Sequence, residues 1–180
     1  PYFNGTPPKW VRPQKDVKEA KTKERMLAKL TKVRNLGYIR KGPVTSLTAF
    51  FAVPKGPTDI RMVYDASISD LNDSLWAPWF PLPTVASHLR AFDSGTFMGD
   101  VDAGDYFLNF VLSEKLKRLC GVDLTRYYKS EVTAHTLWER WEQMMMGLTL
   151  SPYVCIQGSR VAEELILGDK NDVSNIFRWH

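Results

Sequence analysis

The chain has 180 residues, 44% hydrophobic and 24% charged, a balance that suits one core of its own or a piece of a larger protein. No apolar run approaches the roughly 20 residues of a membrane-spanning helix. Cys120 and Cys155 lie far apart, and His88, His135 and His180 are scattered, which argues against zinc and for reduced structural thiols. The expected compartment is therefore intracellular, cytoplasm or nucleus. The net charge of +4 is uneven: between Lys9 and Lys41, 12 Lys or Arg stand against 3 acids, which is +9 and leaves −5 elsewhere. A basic arm beside an acidic centre suits a protein that holds a polyanion with one part and metal ions with another. A lysine-rich solvated helix face would give the same arithmetic.

Pro1 to Pro13 holds four of the eleven prolines and reads as an extended arm. From about Lys15 to Leu36 the residues Val17, Ala20, Met26, Leu27, Leu30, Val33 and Leu36 fall near a 3.6-residue period, and Gly37 stops that helix. Lys41-Gly42-Pro43 is a turn. Leu47 to Val53 and Ile60 to Tyr64 read as strands joined through the turn-rich Pro54 to Asp59, a hairpin with Lys55 near its tip and Arg61 on its return strand. An irregular segment carries Leu71-Asn72 and the run Trp76 to Pro83, after which Thr84 can cap a short helix to about Phe92. Trp76 and Trp79 are most simply packing residues.

Gly99 to Phe107 then places Asp100, Asp102 and Asp105 within six residues, directly after the strand-like Thr96-Phe97-Met98. Carboxylates crowded at the end of a buried strand repel one another unless a cation sits among them, and hard oxygen donors suit Mg²⁺. A surface turn of solvated aspartates is the alternative. Cys120 to Leu124 and Trp138 to Met145 are further strands. A last helix runs from about Pro152 to Leu167, with Val154, Ile156, Val161, Leu165 and Ile166 as its expected inner face. The mixture reads as α+β.

The order of these segments resembles the retroelement reverse transcriptases, over nearly the whole chain. Arg40 to Ser46, Val53-Pro54-Lys55-Gly56, Arg61-Met62-Val63-Tyr64-Asp65 and Leu71-Asn72 resemble their fingers, approximately PK-x-G-x-x-R-x-x-x-D…LN. Pro81-Leu82-Pro83 resembles the lead into their first palm helix. Asp102 with Phe107 resembles the first catalytic motif, D-x-x-x-x-F/Y. Trp141, Gly147-Leu148-Thr149-Leu150-Ser151-Pro152 and Gln157 resemble the second palm motif. The departures are extra residues between Asp65 and Asn72, where the loop should bulge, Met146 before the glycine, and Gln157 one residue late. No Tyr-x-Asp-Asp occurs. The chain therefore reads as a fragment, inactive alone: an arm over 1–14, a fingers-like region over 15–95 and a partial palm over 96–180.

The resemblance implies nucleotidyl transfer of dNTPs onto a primer by two Mg²⁺ ions. Asp102 would be the bridging carboxylate and the Ala103 carbonyl a second ligand. Asp100 shares a strand face with Asp102, but the aromatic five residues on favours Asp102. Phe107 would sit against C2′ of the incoming sugar and exclude ribonucleotides, and Asp105 would lie where backbone amides face the triphosphate. Lys55 and Arg61 would reach the phosphates and base from the fingers, with a turn lysine and an ion pair to Asp65 or Asp59 as the structural alternatives. Gly147 would let the backbone approach template or nucleotide, and Gln157 would bond near the template grip. Lys15, Lys18, Arg25, Lys29, Arg40 and Lys41 would lie along the backbone of an RNA or DNA template–primer duplex. The remaining partner would be the rest of the polymerase chain, with no membrane. A non-catalytic nucleic-acid-binding module derived from such an enzyme is the competing expectation.

Overall fold

Glu19 sits in extended backbone as the N-cap, accepting a hydrogen bond from the Thr22 hydroxyl at 2.8 Å, and the first helix, α1 (Ala20–Asn35), begins after it. This computed structural model of the protein describes residues 3–82, 84–91, 95 and 102–175. The helix starts later than the periodicity predicts, because the preceding segment is tied down in extended form. The Gln14 side-chain amide bonds both the N–H and the carbonyl of Phe50, as a neighbouring strand would. Asp16 pairs with Lys23 at 2.9 Å and Arg126 at 3.3 Å. Lys15 and Lys18 therefore precede the helix. At the other end Gly37 adopts φ +75°, Gly37 N–H bonds the Arg34 carbonyl and Tyr38 N–H the Val33 carbonyl, the glycine-terminated stop that the sequence predicts.

The chain forms two compact units, 1–77 with 107–151 and 78–106 with 152–180. In the first, β2 (Ala49–Lys55) and β3 (Asp59–Asp65) make the expected antiparallel hairpin, pairing Phe50 with Tyr64, Val53 with Arg61 and Lys55 with Asp59. Leu47 lies outside the strand and instead bridges Gly121 in parallel. The second sheet orders β1 (Ile39–Arg40), β5 (Trp138–Trp141) and β4 (Gly121–Asp123), both pairs antiparallel. The strand expected over Trp138 to Met145 stops at Trp141. Beyond it the backbone leaves the sheet to pair with another segment, Leu112 N–H to the Glu142 carbonyl and Met144 N–H to the Phe110 carbonyl.

The core follows from the alternation of β2 and β3. Phe50, Ile60 and Tyr64 are buried, as are Met26 and Leu30 one helical turn apart on α1. The Tyr64 ring meets Trp141 edge-on at 4.8 Å between centroids, and Phe50 contacts Tyr64 at 6.0 Å and Tyr127 at 5.7 Å. A buried ion network fastens α1 to β5. Arg34 bonds Glu139, whose side chain is 3% exposed, and reaches Glu131 with the same guanidinium while lying 4.1 Å above the Tyr128 ring. The short helix α3 (Glu114–Leu119), preceding β4, was not anticipated from the sequence. It buries Leu116 and Leu119 and sends Lys117 to both Glu114 and Glu142.

The second unit holds α2 (Val85–Ala91) and all but the first residue of α4 (Ser151–Leu167). The inner face of α4 follows the prediction only in part: Val154 and Ile156 are half-buried, but the later positions are not. Val161, Leu165 and Ile166 are 59%, 82% and 77% exposed, whereas Cys155 is buried and its carbonyl and the Ser159 hydroxyl bond the Tyr106 hydroxyl. A polar anchor from Tyr106 thus orients the helix where an apolar stripe was expected. Among the described residues no helix is long and apolar enough to cross a membrane. Both cysteines are free and buried, and burial pushes the Cys120 thiol up to about 12, which removes it as a nucleophile. At the level of secondary structure, the protein is a mixed α and β chain with small antiparallel sheets.

Candidate nucleotide and nucleic-acid site

Strand alternation decides what the hairpin offers to solvent. With Phe50, Ile60 and Tyr64 turned inward, the opposite face carries Phe51, Val53 and Lys55 on β2 and Arg61 and Val63 on β3. Because Val53 pairs with Arg61 and Lys55 with Asp59, Lys55 and Arg61 are diagonal neighbours near the tip, and both are exposed. Neither forms an ion pair among the described residues. The carboxylates that were alternatives for Arg61 have other partners: Asp59 pairs with Lys29 at 3.0 Å, and Asp65 accepts the Ser67 N–H at 2.8 Å. The Lys29 ammonium beside it holds the Asp59 carboxyl below its usual range, with the Ile60 N–H adding to the effect.

Lys29 is therefore committed to closing α1 onto the hairpin. Arg25 is half-buried on α1, and Arg40, on β1, turns its Nε back to the Gly37 carbonyl at 3.1 Å. Lys15, Lys18 and Lys41 are exposed. The basic residues thus lie on an extended segment, a helix and a short strand, and do not form the single basic helix that the sequence suggests.

The loop at Gly147 draws three of the motif segments together. Gly147 has φ +101°, and a Cβ there would collide with the carbonyl oxygen of Tyr64 at the end of β3. The room that a Cβ would need here is taken by the protein's own backbone, which by itself requires glycine at this position. Asn72 clamps the same loop, donating from Nδ2 to the Gly147 carbonyl at 2.9 Å and accepting the Thr149 N–H at Oδ1 at 2.9 Å. Its neighbour Leu71 is fully buried. The residues between Asp65 and Asn72 make the expected excursion by turning over Ala66, whose carbonyl accepts both Leu71 N–H and Asn72 N–H, with Asp70 at φ +59°. Asn72 is the structural residue that sequence reasoning passed over. The signal was present in Leu71-Asn72, but a two-residue motif does not say what its side chain will hold.

Phe107 belongs to the first unit, half-buried in a single 3₁₀ turn, Tyr106–Asn109. Asp102, Ala103 and Asp105 belong to the second unit and are exposed, Asp105 at φ +51°. Gln157 is half-buried on α4. Asp100, Val101 and the strand expected at Thr96 to Met98 lie outside the described residues, as does Pro83. Among the described residues Asp102 makes no hydrogen bond or ion pair, and no group of three or more His, Cys, Asp or Glu is gathered as a metal site. A free carboxylate beside a backbone carbonyl has the right donor chemistry for Mg²⁺, which takes one or two carboxylates and completes its shell with water and phosphate oxygens. No protein-family model matches the chain, and no curated protein matches it.

Proposed function

We infer that the chain is the fingers and first half of the palm of a retroelement-type reverse transcriptase, an RNA-directed DNA polymerase that needs its remaining segments for activity. What carries the reading is the pair Lys55 and Arg61, two cations without ion-pair partners on the solvent face of a hairpin whose other face is core. A flexible ammonium and a planar guanidinium side by side suit the phosphates of a dNTP and of a nucleic-acid strand. The convergence of Tyr64, Asn72 and Gly147 supports it independently, since segments quoted for the resemblance from both fingers and palm meet in one hydrogen-bonded junction.

In the complete enzyme Asp102, with the Ala103 carbonyl, would hold Mg²⁺, and the ions would supply activation of the primer hydroxyl and charge neutralisation at the pyrophosphate. Phe107 would limit the space at the sugar C2′, and Asp105 and Gln157 would border the nucleotide and template.

Fluorescence anisotropy with a labelled RNA–DNA template–primer tests the reading directly. The 180-residue chain binds the duplex, and the double variant Lys55→Ala/Arg61→Ala binds it at least tenfold more weakly with unchanged thermal stability. Absence of duplex binding, or binding indifferent to both substitutions, removes the polymerase assignment. The competing binding-module reading is separated by ternary-complex formation: added dNTP with Mg²⁺ tightens the duplex complex for a polymerase fragment and leaves it unchanged for a simple binder.

A further inference from the structure

Beside the root of the hairpin, the extended arm and the start of β2 enclose a cavity of about 490 Å³. This lies within the 300–1,000 Å³ range of small-molecule sites. Its apolar lining includes Trp10, Phe51 and Ile68, and its cations are Arg12 and Lys15. The arm is held in place there. The Leu47 N–H bonds the Trp10 carbonyl at 2.7 Å, and the Gln14 N–H bonds the Asp123 carboxylate at 2.9 Å.

The two carboxylates that line the cavity are already satisfied. Asp16 is paired with Lys23 and Arg126, and Asp123 accepts from Gln14, from Thr125 N–H and from the Thr125 hydroxyl. Arg12 and Lys15 form no ion pair among the described residues. The formal charge of the cavity lining is balanced, two cations against two carboxylates. Arg12 and Lys15 are nevertheless exposed and, among the described residues, without ion-pair partners beside an indole and a phenyl ring, whereas Asp123 is turned into its own hydrogen bonds. Its Phe51, 42% exposed, also stands on the hairpin face that carries Lys55 and Arg61, so the cavity continues that face at its root.

We propose that this cavity receives one nucleotide unit, its base against Trp10 and Phe51 and its phosphate at Arg12 and Lys15, as an unpaired unit of a single strand that runs on along the hairpin face. Stacking on an aromatic wall accepts any base, and the cations hold the backbone. The site does not require Asp102 to be catalytic.

The test titrates the 180-residue chain with a labelled pentanucleotide and, separately, with adenosine monophosphate. The pentanucleotide binds, Trp10→Ala weakens it about tenfold or more, and Arg12→Ala/Lys15→Ala weakens it and lowers the dependence of log K on log salt by about 0.7, the value for one neutralised phosphate of a single strand. Arg12 and Lys15 are exposed, so their variant stands as the readout if Trp10→Ala loses stability. Lys55→Ala/Arg61→Ala also weakens the pentanucleotide, and a pentanucleotide indifferent to that variant overturns the run of the strand along the hairpin. Mononucleotide binding alone assigns the cavity to free nucleotide and overturns the strand assignment. No binding of either probe, or binding untouched by both cavity variants, overturns the site itself. A duplex that fails to bind while the pentanucleotide binds sinks the polymerase reading and leaves this site standing.

Discussion

The carboxamide of Asn72 closes around Gly147, donating to the glycine carbonyl and accepting the Thr149 N–H that follows, both at 2.9 Å. Gly147 in turn has its Cα against the Tyr64 carbonyl, where a Cβ has no room. One side chain and one missing side chain thus fix how the loop before α4 meets the end of β3.

The consequence for stability is direct. Asn72→Ala removes these two hydrogen bonds and a third, from Nδ2 to the Ser67 hydroxyl, and is expected to cost roughly 1–2 kcal/mol. Gly147→Ala must give up both its positive φ and its close approach, at least about 2 kcal/mol. Urea unfolding midpoints measure both. A Gly147→Ala protein as stable as the parent would show that the loop can open away from Tyr64 without penalty.

Arg34 carries a second prediction. Glu139 is nearly fully buried, so Arg34→Met leaves a carboxylate without its partner and is expected to cost about 3–5 kcal/mol at neutral pH. The Arg34 guanidinium also holds the Glu131 carboxyl below its ordinary value, and Lys117 and Arg140 outweigh burial to do the same for Glu142. A depressed carboxylate contributes stability that is complete above the unfolded value of about 4.3 and disappears as pH falls through the folded one. The parent should therefore lose stability on acidification below about pH 4.3. The gap between parent and Arg34→Met should narrow over the same range, because the Glu131 carboxylate that Arg34 stabilises is protonated there. Chemical denaturation at pH 7, 5 and 3 reads this, and a gap independent of pH would remove the ionic account.

Duplex binding should weaken steeply with salt, since the contacts proposed for Lys15, Lys18, Lys41, Lys55 and Arg61 are charge contacts. Lys29 serves as the internal contrast, being paired with Asp59. Lys29→Ala is expected to leave the salt slope unchanged, while Lys55→Ala or Arg61→Ala each lowers it by roughly 0.9. Equal slopes for all three variants would mean that the hairpin face is not the contact surface.

The isolated chain is expected not to extend a primer, because the proposed chemistry needs a second carboxylate motif, Tyr-x-Asp-Asp, that its sequence does not contain. Extension by this chain that is abolished by Asp102→Asn would refute that expectation. In a complete enzyme of the kind proposed, Phe107→Ala should admit ribonucleotides. Unchanged discrimination between dNTP and NTP would take Phe107 out of the sugar gate.

Much of the frame was legible from local chemistry. The helix stop at Gly37, the hairpin between Phe50 and Tyr64 and the exposed position of Lys55 near its tip all follow from turn residues and side-chain alternation, which act over a few residues. The misjudged elements are those whose partners lie far along the chain. Lys15 and Lys18 fit a helical pattern, yet the neighbouring Gln14 finds strand-like bonds with Phe50 and the segment stays extended. Val161, Leu165 and Ile166 look like an inner face, but the bonds from Tyr106 to Cys155 and Ser159 orient α4 differently.

By itself the sequence determined the residue types at each motif, the uneven charge and the positions where backbone had to turn, because these depend on covalent structure and near neighbours. Only the tertiary structure decided which cations remain unpaired and which glycine is filled by its own protein. Those outcomes depend on Asp59 meeting Lys29 and on Tyr64 meeting Gly147, contacts between residues that the chain itself keeps far apart.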